Sequence, residues 1–180
     1  MLNKERIKEA EGNVRTYLSE GLLKKESSNP NAIRVLIKNA KESILSAEKL
    51  DSSKTSDLWV IVCSYYAMFY ITNAVLHKLG YKVGDKIVHK VTSDALIVYA
   101  RKKLKESMLE EYEDIKEEAL NLAGLKADSL IESFESEKGK RSRLQYTTDD
   151  IEKQSKAKTS LKRAKEFVFE MEKFLVSIKV

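Results

Sequence analysis

The chain has 180 residues, 42% of them apolar and 34% charged, with a formal net charge of +5. That balance belongs to a globular chain able to bury a sizeable core, and it excludes disorder. One proline and six glycines leave few breaks, so an all-α fold of long helices is expected, and a lone cysteine, Cys63, excludes a disulfide framework and makes a cytoplasmic location the default.

Residues 3–25 open with an amphipathic pattern in which Ile7, Ala10, Val14, Tyr17 and Leu18 share a face, which predicts a first helix. The stretch from Glu26 to Pro30 stops it and starts another, with Asn29 as N-cap and Pro30 at the first helical position. A second helix follows to about Leu50. Its stripe of Ile33, Ile37, Ala40, Ile44 and Ala47 advances in steps of four and three before Asp51-Ser52-Ser53 ends it.

Leu58 to Leu79 is the longest stretch without a charged residue before Lys78. Ser56 and Asp57 supply N-cap chemistry, Lys78 suits the negative end of the dipole, and Gly80 stands where a glycine stops a helix. Its apolar residues fall on all sides, which predicts a buried central helix covered by several neighbours. A membrane span is the rival reading. Ser64, Tyr65, Tyr66, Tyr70, Thr72, Asn73 and His77 break its hydrophobicity, and no aromatic belt brackets it, so the core helix is preferred. No secretory signal precedes it.

The loop YKVGDKI follows, then a helix from about Val88 to Leu104, although Ile87-Val88-His89 also fits a short extended piece. Residues 106–122 read as a helix with Met108, Leu109, Tyr112, Ile115, Ala119 and Leu122 inward and an acidic outer face. A further helix is expected over 126–143, with Leu130, Ile131 and Phe134 inward. Thr147 to Asp150 then signal the start of the last helix, whose Ala157, Leu161, Ala164, Val168, Met171, Leu175 and Ile178 form a coiled-coil-like seam. Phe167, Phe169 and Phe174 lie off that seam, and their exposure would mark a second contact surface. With no internal repeat or linker, one domain is expected.

Catalytic patterns are scarce. There is no glycine-rich phosphate loop, no metal-ligand pair at helical spacing and no pattern that requires a cofactor. Cys63 lacks an adjacent histidine and reads as a core residue. His89, at the start of a helix beside a glycine loop, suits an anion contact or proton transfer as well as a structural cap. Tyr65, Tyr66 and Tyr70 either fill the core or offer faces on which a base stacks. Between Lys138 and Lys165 there are ten Lys or Arg against three acidic residues, and Arg101, Lys102, Lys103 and Lys105 make a second cluster. Such clusters meet phosphates, form a solvated face, or pair with the acidic helix at 106–122.

The string SYYAMFYITNAVLHKLGYKV, the following His89, and the segment from Arg141 to Tyr146 before the last helix together resemble the HEPN superfamily, named for nucleotide binding in higher eukaryotes and prokaryotes. The likeness is to the small prokaryotic members encoded beside minimal nucleotidyltransferases, and it covers about residues 31–178, leaving residues 1–28 as an added N-terminal helix. It implies an up-and-down helical bundle, usually dimeric, with a polar cleft beside the tyrosine helix. Many members are ribonucleases that use an arginine and a histidine on that helix. Here those positions are Cys63 and Tyr70. A thiol does not replace a bidentate, permanently charged guanidinium, and a phenol is a poor base at neutral pH.

The resemblance carries Tyr66, Tyr70, His89, Arg141 and Tyr146 onto the candidate cleft. The reading it favours is a non-catalytic homodimeric module that binds a nucleotidyltransferase partner, a nucleotide or RNA, in a toxin–antitoxin or defence pair. The rival is a metal-independent ribonuclease with a rearranged site built from His89 and Arg141.

Overall fold

Asp57–Lys78 forms the helix around which the others pack, and its sequence dictates that position. Thirteen of its side chains are buried, among them Tyr65, Met68, Ile71 and Val75 at 0% exposure. Removing a side chain such as Met68 or Ile71 from a site this enclosed typically costs about 2–5 kcal/mol. The Ser56 hydroxyl caps its first turn, and Gly80, at φ 86°, turns the chain beyond its end. By length and composition it is the one described helix able to cross a membrane, with a mean hydropathy of 1.5, yet 61% of that window lies inside the protein.

The computed structural model describes residues 3–123 and 150–178. In chain order its elements are α1 (Lys4–Glu20), β1 (Leu23–Lys25), α2 (Pro30–Ser53), α3 (Asp57–Lys78), β2 (Tyr81–Val83), α4 (Val88–Ala100), a 3-10 turn (Arg101–Lys103), α5 (Glu106–Leu122) and α6 (Asp150–Ser177). The fold is all-α apart from the small antiparallel ribbon. α2, α4, α5, α6 and β2 all contact α3, while α1 rests on α4 and β1. The helix expected over 126–143 and the basic residues from Lys138 to Arg143 lie outside the described residues.

The local signals explain most boundaries. Asn29 accepts from the amides of Asn31 and Ala32, and Pro30 takes the first turn of α2. α2 runs to Ser53, three residues beyond the expected end, and Lys54 closes it at φ 51°.

The first helix is shorter than its expected span of 3–25. Gly21, at φ 75°, ends α1, and Leu23–Lys25 instead pairs with Tyr81–Val83, with Leu23 opposite Val83 and Lys25 opposite Tyr81. The ribbon therefore takes up part of the YKVGDKI stretch read as loop. Gly84 completes it, since a Cβ there would stand 3.1 Å from the Leu22 carbonyl oxygen. Ile87 takes a left-handed conformation, φ 41°, and α4 begins at Val88 rather than with an extended piece. α4 also stops at Ala100, with Arg101–Lys103 tightening into the 3-10 turn.

The seam of α6 is buried from Ala157 to Leu175 as its periodicity predicts. Phe167 was expected off the seam and is wholly buried, because α6 packs against α3 and α5 at once and so hides a wider stripe. Phe169 is 59% exposed, and Phe174 is partly buried.

Candidate functional site

α3 is buried on every side except one narrow strip. Trp59, Cys63, Tyr66, Tyr70 and Asn73 advance by four, three, four and three residues, so they line one face, and all five are partly or largely accessible. None carries a charge. An uncharged, aromatic, half-open face on an otherwise buried helix is the feature of this chain most suited to receiving a flat ligand.

The aromatic rings on this face are organised around His89. The ring centroid of His89 lies 4.9 Å from that of Phe69, 5.5 Å from Tyr65 and 5.9 Å from Tyr66, the last edge-on. Tyr66 and Tyr70 are 5.9 Å apart. The hydroxyl of buried Tyr65 lies 2.8 Å from Nδ1 of His89. Behind Tyr65 stand Tyr112 of α5 at 6.0 Å and then Phe167 of α6, 5.5 Å from Tyr112. The row of rings thus ties four helices together beneath the accessible face. α4 delivers His89 on its first turn, where no side chain caps the helix.

Burial holds Cys63, Tyr65, Tyr66 and Tyr112 in their neutral forms. Burial pushes the phenols of Tyr65 and Tyr112 well above the ordinary tyrosine range, and burial followed by the nearby Tyr70 raises that of Tyr66. Burial also raises the Cys63 thiol, which is half-enclosed rather than fully buried as its sequence context had implied. A neutral phenol donates and accepts hydrogen bonds, and its ring stacks, but it does not remove a proton at neutral pH. Asn73 holds the far end of the strip by donating to the Phe69 carbonyl at 2.9 Å and meeting the Thr92 hydroxyl at 3.3 Å.

Of the residues singled out by sequence, Tyr66, Tyr70 and His89 belong to one cluster with Cys63 beside them; Arg141 and Tyr146 lie outside the described residues. His77 follows Asn73 by four residues on the same side of α3, but there the helix is covered again and His77 is buried. Among the described residues, no three His, Cys, Asp or Glu side chains converge in a way that would hold a metal ion. Arg101 is engaged by Glu11 at 2.9 Å, which leaves Lys102, Lys103 and Lys105 as the exposed part of that cluster. The acidic face of α5 takes two cations of α6, through Arg163 to Glu111 at 3.6 Å and Lys156 to Glu118 at 3.7 Å.

Sequence reasoning missed Trp59, Phe69 and Asn73 as members of the face. The four-three spacing through Cys63, Tyr66 and Tyr70 was the available signal. It also missed a buried polar knot where α1 meets α4 and α5. Asp94, wholly buried, receives Arg6 Nη1 at 2.7 Å, the Tyr17 hydroxyl at 2.8 Å and Asn13 Nδ2 at 3.0 Å. Ser93 beside it donates to Glu113 and accepts from Lys116 Nζ at 3.1 Å, and Lys116 also reaches Glu113 at 2.7 Å. For Arg6, desolvation works against the charged form, but the Asp94 hydrogen bond and the negative charges of Asp94 and Glu113 outweigh it and raise its pKa. The knot anchors α1 to the rest of the chain, and the negative charge of its Glu113 reaches the phenols of Tyr65 and Tyr112 behind the aromatic face.

No family model matches the chain, and no curated protein matches it.

Proposed function

We propose that the protein is a non-catalytic, HEPN-like module that binds a nucleotide or a single-stranded RNA on the Tyr66–Tyr70 face of α3. The observation that carries this reading is the uncharged strip from Trp59 to Asn73, half-open on a helix buried everywhere else and backed by His89. A base stacks on such rings whatever its identity, with each stacked base contributing about 1–3 kcal/mol. Cys63 and Tyr70 stand where the resemblance places the arginine and histidine of HEPN ribonucleases, and the raised Cys63 thiol stays neutral, so the face binds without cutting. Tyr65 occupies Nδ1 of His89, which gives the imidazole a positioning role beneath the rings.

The resemblance extends this reading to a cytoplasmic homodimer acting with a nucleotidyltransferase in a toxin–antitoxin or defence pair. The test is incubation of end-labelled single-stranded and structured RNA with the purified protein and with Tyr66→Ala. Retention of intact RNA, weakened in Tyr66→Ala, is the expected result. Cleavage that disappears in both His89→Ala and Arg141→Ala would replace it with the rearranged ribonuclease.

A further inference from the structure

The outer rims of α2 and α6 carry a second surface that the nucleotide face does not use. These helices run antiparallel and are joined by two ion pairs, Lys41 Nζ to Glu172 Oε1 at 3.0 Å and Lys165 Nζ to Glu48 Oε1 at 2.6 Å. Leu45 follows Lys41 by four residues and precedes Glu48 by three; Phe169 follows Lys165 by four and precedes Glu172 by three. The pairs therefore set these two side chains at the same level on opposite rims of one groove. Leu45 is 55% exposed and Phe169 59%, and Val176, two turns beyond Phe169, is 81% exposed. Three of the five large apolar side chains exposed among the described residues thus share this groove. Single exposed apolar residues are ordinary, whereas a line of them marks a contact surface.

Charge selects the occupant. Glu42, Glu48, Glu170 and Glu172 on these rims are each matched by a lysine. Arg34, Lys158 and Lys162 are exposed and form no ion pair among the described residues, leaving the rims net positive against Glu166. We propose that this groove docks an amphipathic helix of a partner protein, with its apolar stripe on Leu45, Phe169 and Val176 and flanking Glu or Asp residues on the unmatched cations. A groove between two antiparallel helices accepts a third by this mode. A second copy of the chain is a poor occupant. Its acidic helix, α5, has Leu109, Tyr112 and Ile115 buried in the core, so no apolar stripe is left to dock.

The test titrates the full chain into a fluorescein-labelled helical peptide of three heptads, with Leu at positions a and d and Glu at e and g, followed by anisotropy. Repulsion between the Glu residues keeps the peptide from pairing with itself. The expected result is saturable binding of the Glu peptide and at least about tenfold weaker binding of its Lys counterpart. Leu45→Ala and Phe169→Ala should each weaken the Glu peptide by about tenfold, and the double variant K158E/K162E should abolish the preference for Glu over Lys. Trp59→Ala, on the nucleotide face, should leave peptide binding unchanged, so failure of either reading is separable from failure of the other. Unaltered melting of each variant by circular dichroism shows that the fold is intact. Equal binding of the two peptides, no binding, or indifference to Leu45→Ala and Phe169→Ala would overturn the proposal. So would displacement of the Glu peptide by single-stranded oligouridylate, which would assign the groove to polynucleotides.

Discussion

The hydroxyl of Tyr65 lies 2.8 Å from Nδ1 of His89, joining the most enclosed tyrosine of α3 to the first turn of α4. Tyr65→Phe keeps the ring and removes the hydroxyl, with its bond to His89 and its contact with the Tyr112 hydroxyl. The variant should lose about 1–2 kcal/mol of stability. A double-mutant cycle with His89→Ala, read by urea unfolding, should return a coupling of about 1 kcal/mol. Strictly additive losses would show that the two side chains stabilise the fold independently.

The same tyrosines set an alkaline limit. The phenols of Tyr65 and Tyr112 start from an ordinary value of 10.0, and burial raises both in the folded chain. Above that value the unfolded chain releases these protons while the folded chain still holds them, so unfolding gains free energy as the pH rises. This part of the stability is complete below about pH 10 and is lost progressively above it. Melting temperatures should fall over that range less steeply in Tyr65→Phe, where one titrating phenol is gone. Parallel curves for the two proteins would contradict the argument.

Asp94 is the centre of the knot that holds α1. Asp94→Ala leaves Arg6 partly buried without its partner, a change that typically costs about 3–5 kcal/mol. Hydrogen exchange should show the amides of α1 losing protection before those of α3. Uniform loss across both helices would mean that α1 is not a separately anchored element.

Lys54 closes α2 in a left-handed conformation, φ 51°, with an exposed side chain. Glycine reaches that conformation without a Cβ penalty, so Lys54→Gly should raise stability by about 0.5–1 kcal/mol in urea unfolding. A loss would show that the Lys54 side chain contributes more than its backbone costs.

How far the structure could be read from the residues follows the range of the interactions. Asn29-Pro30 and Ser56 announced their helix starts because capping is local, and the uncharged run at Leu58–Leu79 announced the central helix because all but one narrow strip of it is buried. The β1–β2 ribbon was not legible, since Leu23–Lys25 becomes a strand only by pairing with residues nearly sixty positions away. Phe167 was misplaced for a related reason: a heptad seam anticipates one neighbour, and α6 packs against α2, α3 and α5. At the candidate site, Tyr66 and Tyr70 were visible as neighbours on one helix. The bond from Tyr65 to His89 was not, because it depends on how α4 folds back along α3.

Trp59, the only tryptophan of the chain, sits 53% exposed at the end of the aromatic strip and reports directly on its occupancy. The decisive measurement is its fluorescence during titration with nucleoside triphosphates and a short oligouridylate, for the intact protein and for Tyr66→Ala and Tyr70→Ala. A saturable change in the intact protein that weakens by about tenfold or more in either variant is the predicted result. A flat titration, or one that both variants reproduce unchanged, would contradict nucleotide binding on this face.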